Sequence, residues 1–328
     1  MQAIVIERLG GPEVLTLRDV PTPEPGPGEI LVDVTVAGVN FMDTGARQWG
    51  RADAGVPFVP GVEAAGVVRG LGPGVTEFAV GDRVAWVYAY GTYAEQIVVP
   101  AAAAVPVPDA IDDETAASVM MQGLTAHHFV TEAYQVRPGD VALVHAAAGG
   151  LGRLITQLVR LHGGTVVGLV SREEKVPVAR EAGADHVLVS TGDRFVEEVR
   201  ALSGGEGVHV VYDGNGAPTF RASMRALRRH GTLLYYGAFI GEVPTIGMRE
   251  LPASIKVCYP VFRDHIPTRA ALLRHSAELF SLIADGRLKV HIGGRYPLAE
   301  AARAHRDIEA RATTGKLLLL PSPTRAAS

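Results

Sequence analysis

The residues best suited to chemistry lie in VALVHAAAGGLGRLITQL, where a strand-like apolar run ends in small residues and continues with helical spacing. Ala147, Gly149 and Gly152 fall at the three positions of a GxGxxG fingerprint, with alanine in the first, and Gly150 and Leu151 lie between them. Small residues there permit a tight strand-to-helix turn, close approach of the backbone to a pyrophosphate, and packing of helix on sheet. Unbonded N–H groups and the helix dipole both favour an anion at that N-terminus. A glycine-rich turn can also bind nothing, but strand, turn, helix and strand follow one another here as dinucleotide binding requires.

The end of the next strand, TVVGLV, discriminates between cofactors. NAD-selective sites carry an acid about 20 residues beyond the fingerprint to accept from the ribose 2′-hydroxyl. This chain instead has Ser171 and Arg172, with Lys175 close behind. A hydroxyl, a guanidinium and an ammonium suit a 2′-phosphate, so NADPH is the expected cofactor. Glu173 and Glu174 fit the first turn of a helix, where carboxylates complement the dipole.

The surrounding elements divide into two textures. Up to about Pro108, short alternating runs such as AIVIE, EILVDVTVAGV and YAEQIVVP are separated by Gly and Pro, which predicts an all-β region. Beyond DDETAASVMMQGLTAHHFVTEAYQV, expected to be helical, strand-like VALVHA, TVVGLV, HVLV, VHVVYD and GTLLYYG alternate with helix-like LGRLITQLVRLHG, EEKVPVAREAGA, RFVEEVRALS and TFRASMRALRRHG. Such alternation predicts an α/β doubly wound parallel sheet. SIKVCYPVF can supply a sixth strand, and GKLLLLP most simply returns to the first domain. The expected organisation is residues 1–120 completed by 262–328, with residues 121–261 as the dinucleotide-binding domain.

Bulk properties exclude several functions. A net charge of -4 gives no basic field for nucleic acid. No apolar run approaches a membrane span, and MQAIVIERLGG lacks the features of a signal peptide. One cysteine, Cys258, forbids an intrachain disulfide or a zinc site of several thiolates. A cytoplasmic protein with no nucleic-acid or membrane partner is expected, its tail SPTRAAS frayed.

GVNFMD, PFVPGVEAAGVV, GDRVA, YAEQIVVP, QGLTAHH, VHAAAGGLG, SREEK, AGADHV and GKLLLLP occur in order along nearly the whole chain. In these motifs the chain resembles the quinone oxidoreductase branch of the medium-chain dehydrogenase/reductase superfamily, the group that includes zeta-crystallin. The resemblance implies a GroES-like β-rich catalytic domain, a Rossmann domain and a homodimer joined through sheet edges, for which SIKVCYPVF is the candidate edge. Zinc-dependent relatives carry Cys-His where this chain has Asn40-Phe41, and His at Val62, so catalytic zinc is not expected.

By the same resemblance, Asn40 and Asp43 line the acceptor cleft, Phe41 walls it, and Thr125 sits beside the nicotinamide. Asn215, Gly237, Ala238 and Phe239 fall where the cofactor crosses the sheet. The local alternatives are a turn for Asn40 or Gly237, a helix cap for Asp43 and a satisfied helical hydroxyl for Thr125. Lys316 matches a recurrent Gly-Lys, or is a surface lysine. Gly45 and Ser190 stand where the family commonly has tyrosine. His127 and His128, adjacent on a helix, are expected to diverge as structural residues. The function implied is hydride transfer to a quinone or activated alkene, with the amide of Asn40 or the hydroxyl of Tyr90 or Tyr93 as candidate donors. Reduction of enones or enoyl thioesters proper, and a nonenzymatic NADPH-binding role, are the alternatives.

Overall fold

The computed structural model describes residues 1–51, 54–239 and 243–321, with Phe239 as backbone only; the tail SPTRAAS lies outside the described residues. The chain divides into two compact units. One comprises Met1–Met121, Ile266–Gly286 and Val290–Ser328; the other comprises Gln122–His265 and Arg287–Lys289.

The first unit is built on a sheet whose central strand is Glu29–Val39. Its apolar side chains, among them Ile30 and Val32, pack with Ile4, Ile6, Trp86 and Tyr93 in one core. Glu63–Leu71, Gln96–Pro100 and Lys316–Leu320 all pair antiparallel with this strand. Lys316–Leu320 also pairs in parallel with Ile292–Pro297, a strand that its sequence, IGGRYP, conceals behind two glycines. Gln2–Ile6 and Leu15–Asp19 form a separate antiparallel pair.

The second unit holds six parallel strands in the order His186–Val189, Thr165–Val170, Val141–Val144, Val208–Asp213, Leu227–Tyr235 and Lys256–Cys258. In chain order this is 3-2-1-4-5-6, the doubly wound Rossmann arrangement. Leu143, Val167, Phe195, Val199 and Val211 pack in its core.

Two local expectations need correction. The long helix expected after Asp113 is broken into Asp113–Val119 and Gln122–His128, followed by a π turn over Phe129–Ala133. Leu227–His230, expected to be helical, already belongs to the fifth strand. Its register against Val208–Asp213 shifts, and His230 takes a left-handed φ of 63°, so a bulge absorbs residues that the helical pattern claimed.

Candidate active site

Three chain segments that are neighbours in the first sheet bring a buried polar cluster together. Asn40 follows the central strand and caps the helix Phe41–Trp49 from an extended conformation. Glu63 opens the adjacent strand and Lys316 opens the strand on the other side, where Leu317 faces Val39. Gly38 makes room for this: a Cβ there would come within 2.5 Å of Glu63 Oε1.

Lys316 is 1% exposed and forms a tight ion pair with Glu63, which is fully buried. The surface reading of that lysine is therefore corrected. Its Nζ also donates to Asn40 Oδ1 at 2.9 Å, while Asn40 Nδ2 donates to Glu63 Oε1 at 2.6 Å. The other Glu63 oxygen accepts from the Met121 N–H at 2.6 Å. Both carboxylate oxygens are thus engaged, as a buried charge requires.

A second chain of groups meets this cluster at Asp43. Its Oδ2 accepts from the Asn40 N–H at 2.8 Å and from the Tyr93 hydroxyl at 3.0 Å, while Oδ1 is buried with no hydrogen-bond partner among the described residues. The cap reading of Asp43 is realised, because this carboxylate satisfies a backbone donor at the helix start. Burial pushes its pKa up to about 7, against the opposing pull of the Asn40 N–H, Lys316 and Tyr93. Protonation would fall on Oδ1, since Oδ2 already accepts twice.

Tyr93 is completely buried, and its oxygen lies 3.1 Å from His305 Nε2. Arg47 Nη1, which can only donate, lies 3.2 Å from His305 Nδ1. His305 therefore carries its proton on Nε2 and gives that hydrogen bond to Tyr93. Burial, aided by Arg47, holds its pKa down at about 3. Arg47 in turn pairs with Glu309 at 2.5 Å. The candidacy of Tyr93 as a donor to substrate is corrected, because its hydroxyl hydrogen is committed to Asp43. Tyr90 stacks under the Arg51 guanidinium at 3.8 Å. Phe41 occupies the first position of the capped helix and is half-buried. Gly45 lies one turn before Trp49, whose ring would contact a Cβ there at 3.3 Å.

In the second unit, the turn after Val141–Val144 has the form expected of an anion cradle. Gly149 caps the helix Gly150–Leu161, so Gly150, Leu151 and Gly152 supply first-turn N–H groups. A Cβ on Gly152 would strike the Ala146 carbonyl and approach Ala147 Cα to 3.0 Å. The left-handed residue of the turn is Ala146, with φ of 48°, and not Ala147, which is buried and donates its N–H to Leu169. Ser171 and Arg172 are exposed at the end of Thr165–Val170, and Lys175 closes the following turn. Ser190 lies beside that strand end, its N–H donating to the Val170 carbonyl.

Asn215 is fixed by a directed chain. Ser223 donates to the buried Asp213 carboxylate at 2.7 Å, so its oxygen faces His145 Nε2 as acceptor at 3.0 Å. His145 Nδ1 then accepts from Asn215 Nδ2 at 3.1 Å. Burial lowers the His145 pKa, which keeps the imidazole neutral as this arrangement needs. Gly237 packs against the Asn215 loop, since a Cβ would lie 2.5 Å from Gly216 N. Ala238 is half-buried beside it, and the Phe239 backbone completes the turn. Thr125 is half-buried within Gln122–His128. His127 and His128 do not diverge: both rings lie against His265, with centroids 5.2 and 4.9 Å away.

A GroES-like unit and a six-stranded parallel Rossmann unit, carrying these residues, define a medium-chain dehydrogenase/reductase. Residues 26–109 match the alcohol dehydrogenase GroES-like domain, and residues 182–319 match the zinc-binding dehydrogenase family. The chain is 36% identical to the 2-haloacrylate reductase of a Burkholderia species, over 98% of this chain and 99% of that one. It is 38% identical to the quinone oxidoreductase of Pseudomonas aeruginosa, over 95% and 97%. The structure of Escherichia coli quinone oxidoreductase complexed with NADPH superposes with a TM-score of 0.94 at 36% identity, covering 98% of this chain and all of that one. The chain belongs to the quinone oxidoreductase branch of the medium-chain dehydrogenase/reductase superfamily.

Proposed function

We propose that this protein is a zinc-independent, NADPH-dependent reductase acting on quinones or activated alkenes. The observation that carries the reading is the glycine-capped helix Gly150–Leu161 followed by Ser171, Arg172 and Lys175 at the next strand end. Gly149, Gly150, Leu151 and Gly152 would hold the pyrophosphate, with Ala147 buried beneath the turn, and the three polar side chains would hold the 2′-phosphate. Asn215, Gly237, Ala238, Phe239 and Thr125 are assigned to the remainder of the cofactor site, with Phe41 beside the nicotinamide. The bound cofactor supplies the hydride.

Zinc independence is supported by the donor set. Asn40, Phe41 and Val62 offer neither thiolate nor imidazole, and Glu63 already spends both oxygens on Lys316, Asn40 and Met121. Asn40 and Asp43 are assigned to the acceptor, with the buried Asp43 carboxyl, neutral below about pH 7, as the proton source at Oδ1. The deciding experiment follows NADPH and NADH oxidation by chelator-treated protein against benzoquinone, phenanthrenequinone, a 2-alkenal, a 2-haloacrylate and an enoyl thioester. Turnover with NADPH supports the reading, and the preferred acceptor names its substrate class. NADPH binding without turnover on any acceptor replaces it with the nonenzymatic role.

Lys175→Ala is expected to weaken NADPH by about 1.5–3 kcal/mol, the worth of a hydrogen bond to a charged group, with little effect on NADH. The gap should narrow as salt is raised. Equal losses for the two cofactors in a binding titration would remove Lys175 from the phosphate site.

A homodimer is part of the same proposal. Lys256–Cys258 is an edge strand of the described sheet, and Val257 on it, with Tyr259 and Val261 just after it, are 43, 52 and 44% exposed. An unpaired edge with an apolar row suits a second copy. Val257→Asp with Tyr259→Asp should convert the dimer to monomer in light scattering; an unchanged mass would place the interface elsewhere.

A further inference from the structure

We propose that His128, Glu132 and His265 form a binding site for one divalent transition-metal ion of the Zn2+ type, separate from the positions where zinc-dependent relatives carry their ligands. All three belong to the second unit. His128 ends the helix Gln122–His128, Glu132 lies in the π turn directly after it, and His265 ends the short helix Phe262–His265. One ligand atom from each falls within 4.8 Å of the others.

The distances suit a small ion. Glu132 Oε2 lies 3.5 Å from His128 Nδ1 and 2.8 Å from His265 Nδ1. Ligand atoms around a tetrahedral zinc stand about 3.4 Å apart when the bonds are near 2.0–2.2 Å. The two imidazole ligand atoms lie within 4.8 Å of each other, so drawing them towards that spacing while Glu132 and His265 open by a few tenths of an ångström would admit the ion. Two imidazoles and one carboxylate favour Zn2+, Ni2+ or Co2+ over Ca2+ and Mg2+, which prefer all-oxygen shells.

The surroundings are those of a built site. The two imidazoles are buried, while the Glu132 side chain is 45% exposed, leaving one open side for the ion and a completing water. His127 Nδ1 lies 3.1 Å from His265 Nε2, which gives the ligating ring the outer hydrogen-bond partner that fixes the tautomer of metal-bound histidines. The π turn that brings Glu132 under His128 is itself a device found often at functional sites. Coordination through Nδ1 must move the proton that His265 shares with Glu132 to Nε2, where His127 Nδ1 can accept it.

The test uses tag-free, chelator-stripped protein titrated calorimetrically with Zn2+ and with Ca2+, and Co2+ absorption to report coordination. One equivalent of Zn2+, no Ca2+ binding and intense tetrahedral Co2+ bands are expected, with a rise in Tm on loading. The exposed Glu132→Gln should leave the metal-free Tm unchanged and abolish both the bands and the Tm rise. His127→Gln, altering only the outer partner, should weaken Zn2+ by about 10–100-fold. Absence of stoichiometric Zn2+ binding, or binding that Glu132→Gln leaves intact, would overturn the site.

Discussion

Lys316→Met is expected to cost the protein about 3–5 kcal/mol, because it leaves Glu63 charged and buried with its main partner gone. The pair is deeply sequestered, with Lys316 1% exposed and Glu63 not exposed at all. The same substitution removes the hydrogen bond that Lys316 gives to the Asn40 carbonyl oxygen. Glu63→Gln with Lys316→Met removes both charges; the carbonyl oxygen of the neutral amide can still accept from the Met121 N–H, while its NH2 can donate to the Asn40 carbonyl oxygen that Lys316 had bonded. The double variant should therefore be more stable than Lys316→Met alone. Denaturant titration of the wild type, both single variants and the double variant measures the coupling. A Lys316→Met protein as stable as wild type would show that the ammonium contributes nothing net.

The second large effect is a pair of opposed pH dependences. Folded Asp43 keeps its proton up to about pH 7, whereas an ordinary aspartate loses it near 3.8. Its contribution favours the folded state fully below about pH 4 and is lost as pH rises through 7. His305 runs the other way. Its ordinary value of 6.5 is lowered to about 3, so its contribution is present above 6.5 and lost as pH falls through 3. At about 1.4 kcal/mol per unit, each group tilts stability by about 4–5 kcal/mol across its window. In the wild type the two slopes offset each other between about pH 4 and 6.5. Relative to wild type, Asp43→Asn should therefore lose stability progressively as pH falls from 7 to 4, and His305→Gln should gain it from 6.5 towards 3. Denaturation midpoints of the three proteins across this range read the slopes directly. Parallel curves would show that neither group titrates differently on folding.

The parts legible in the sequence are those governed by local repetition. Alternating strands and helices announced the parallel sheet, and Gly149 and Gly152 announced the helix start, because both follow from backbone geometry that nearby residues dictate. The polar cluster was less visible. Family resemblance implies that Asn40 and Asp43 line the acceptor cleft, but nothing local tells whether Lys316 is buried, since a Gly-Lys pair suits a surface turn equally. Arg47, Tyr93 and His305 were missed as partners. One signal existed for His305: Ala301, Ala304, His305 and Ile308 recur at helical spacing, which places the imidazole on the inward face. Arg47 had none, because a charged residue four places after Asp43 reads as a solvated helical pair. The convergence of His127 and His128 on His265 depends on a π turn and a distant helix, neither of which hydrophobic periodicity encodes.

The placement of Lys316–Leu320 between Glu29–Val39 and Ile292–Pro297 sets an order of assembly during synthesis. Lys316 and Asn40 are 276 residues apart in the chain, so the emerging N-terminal segment carries Glu63 long before its counter-charge has been made. The six parallel strands of the other unit all leave the ribosome before Lys316–Leu320. That unit can close while the β-rich one still lacks Lys316–Leu320 and exposes the side of Glu29–Val39 that this strand will join. The interval is when nascent chains are most open to strand-to-strand misassembly and to chaperone capture. Its length is set by translation speed, not by the folding rate of the sheet.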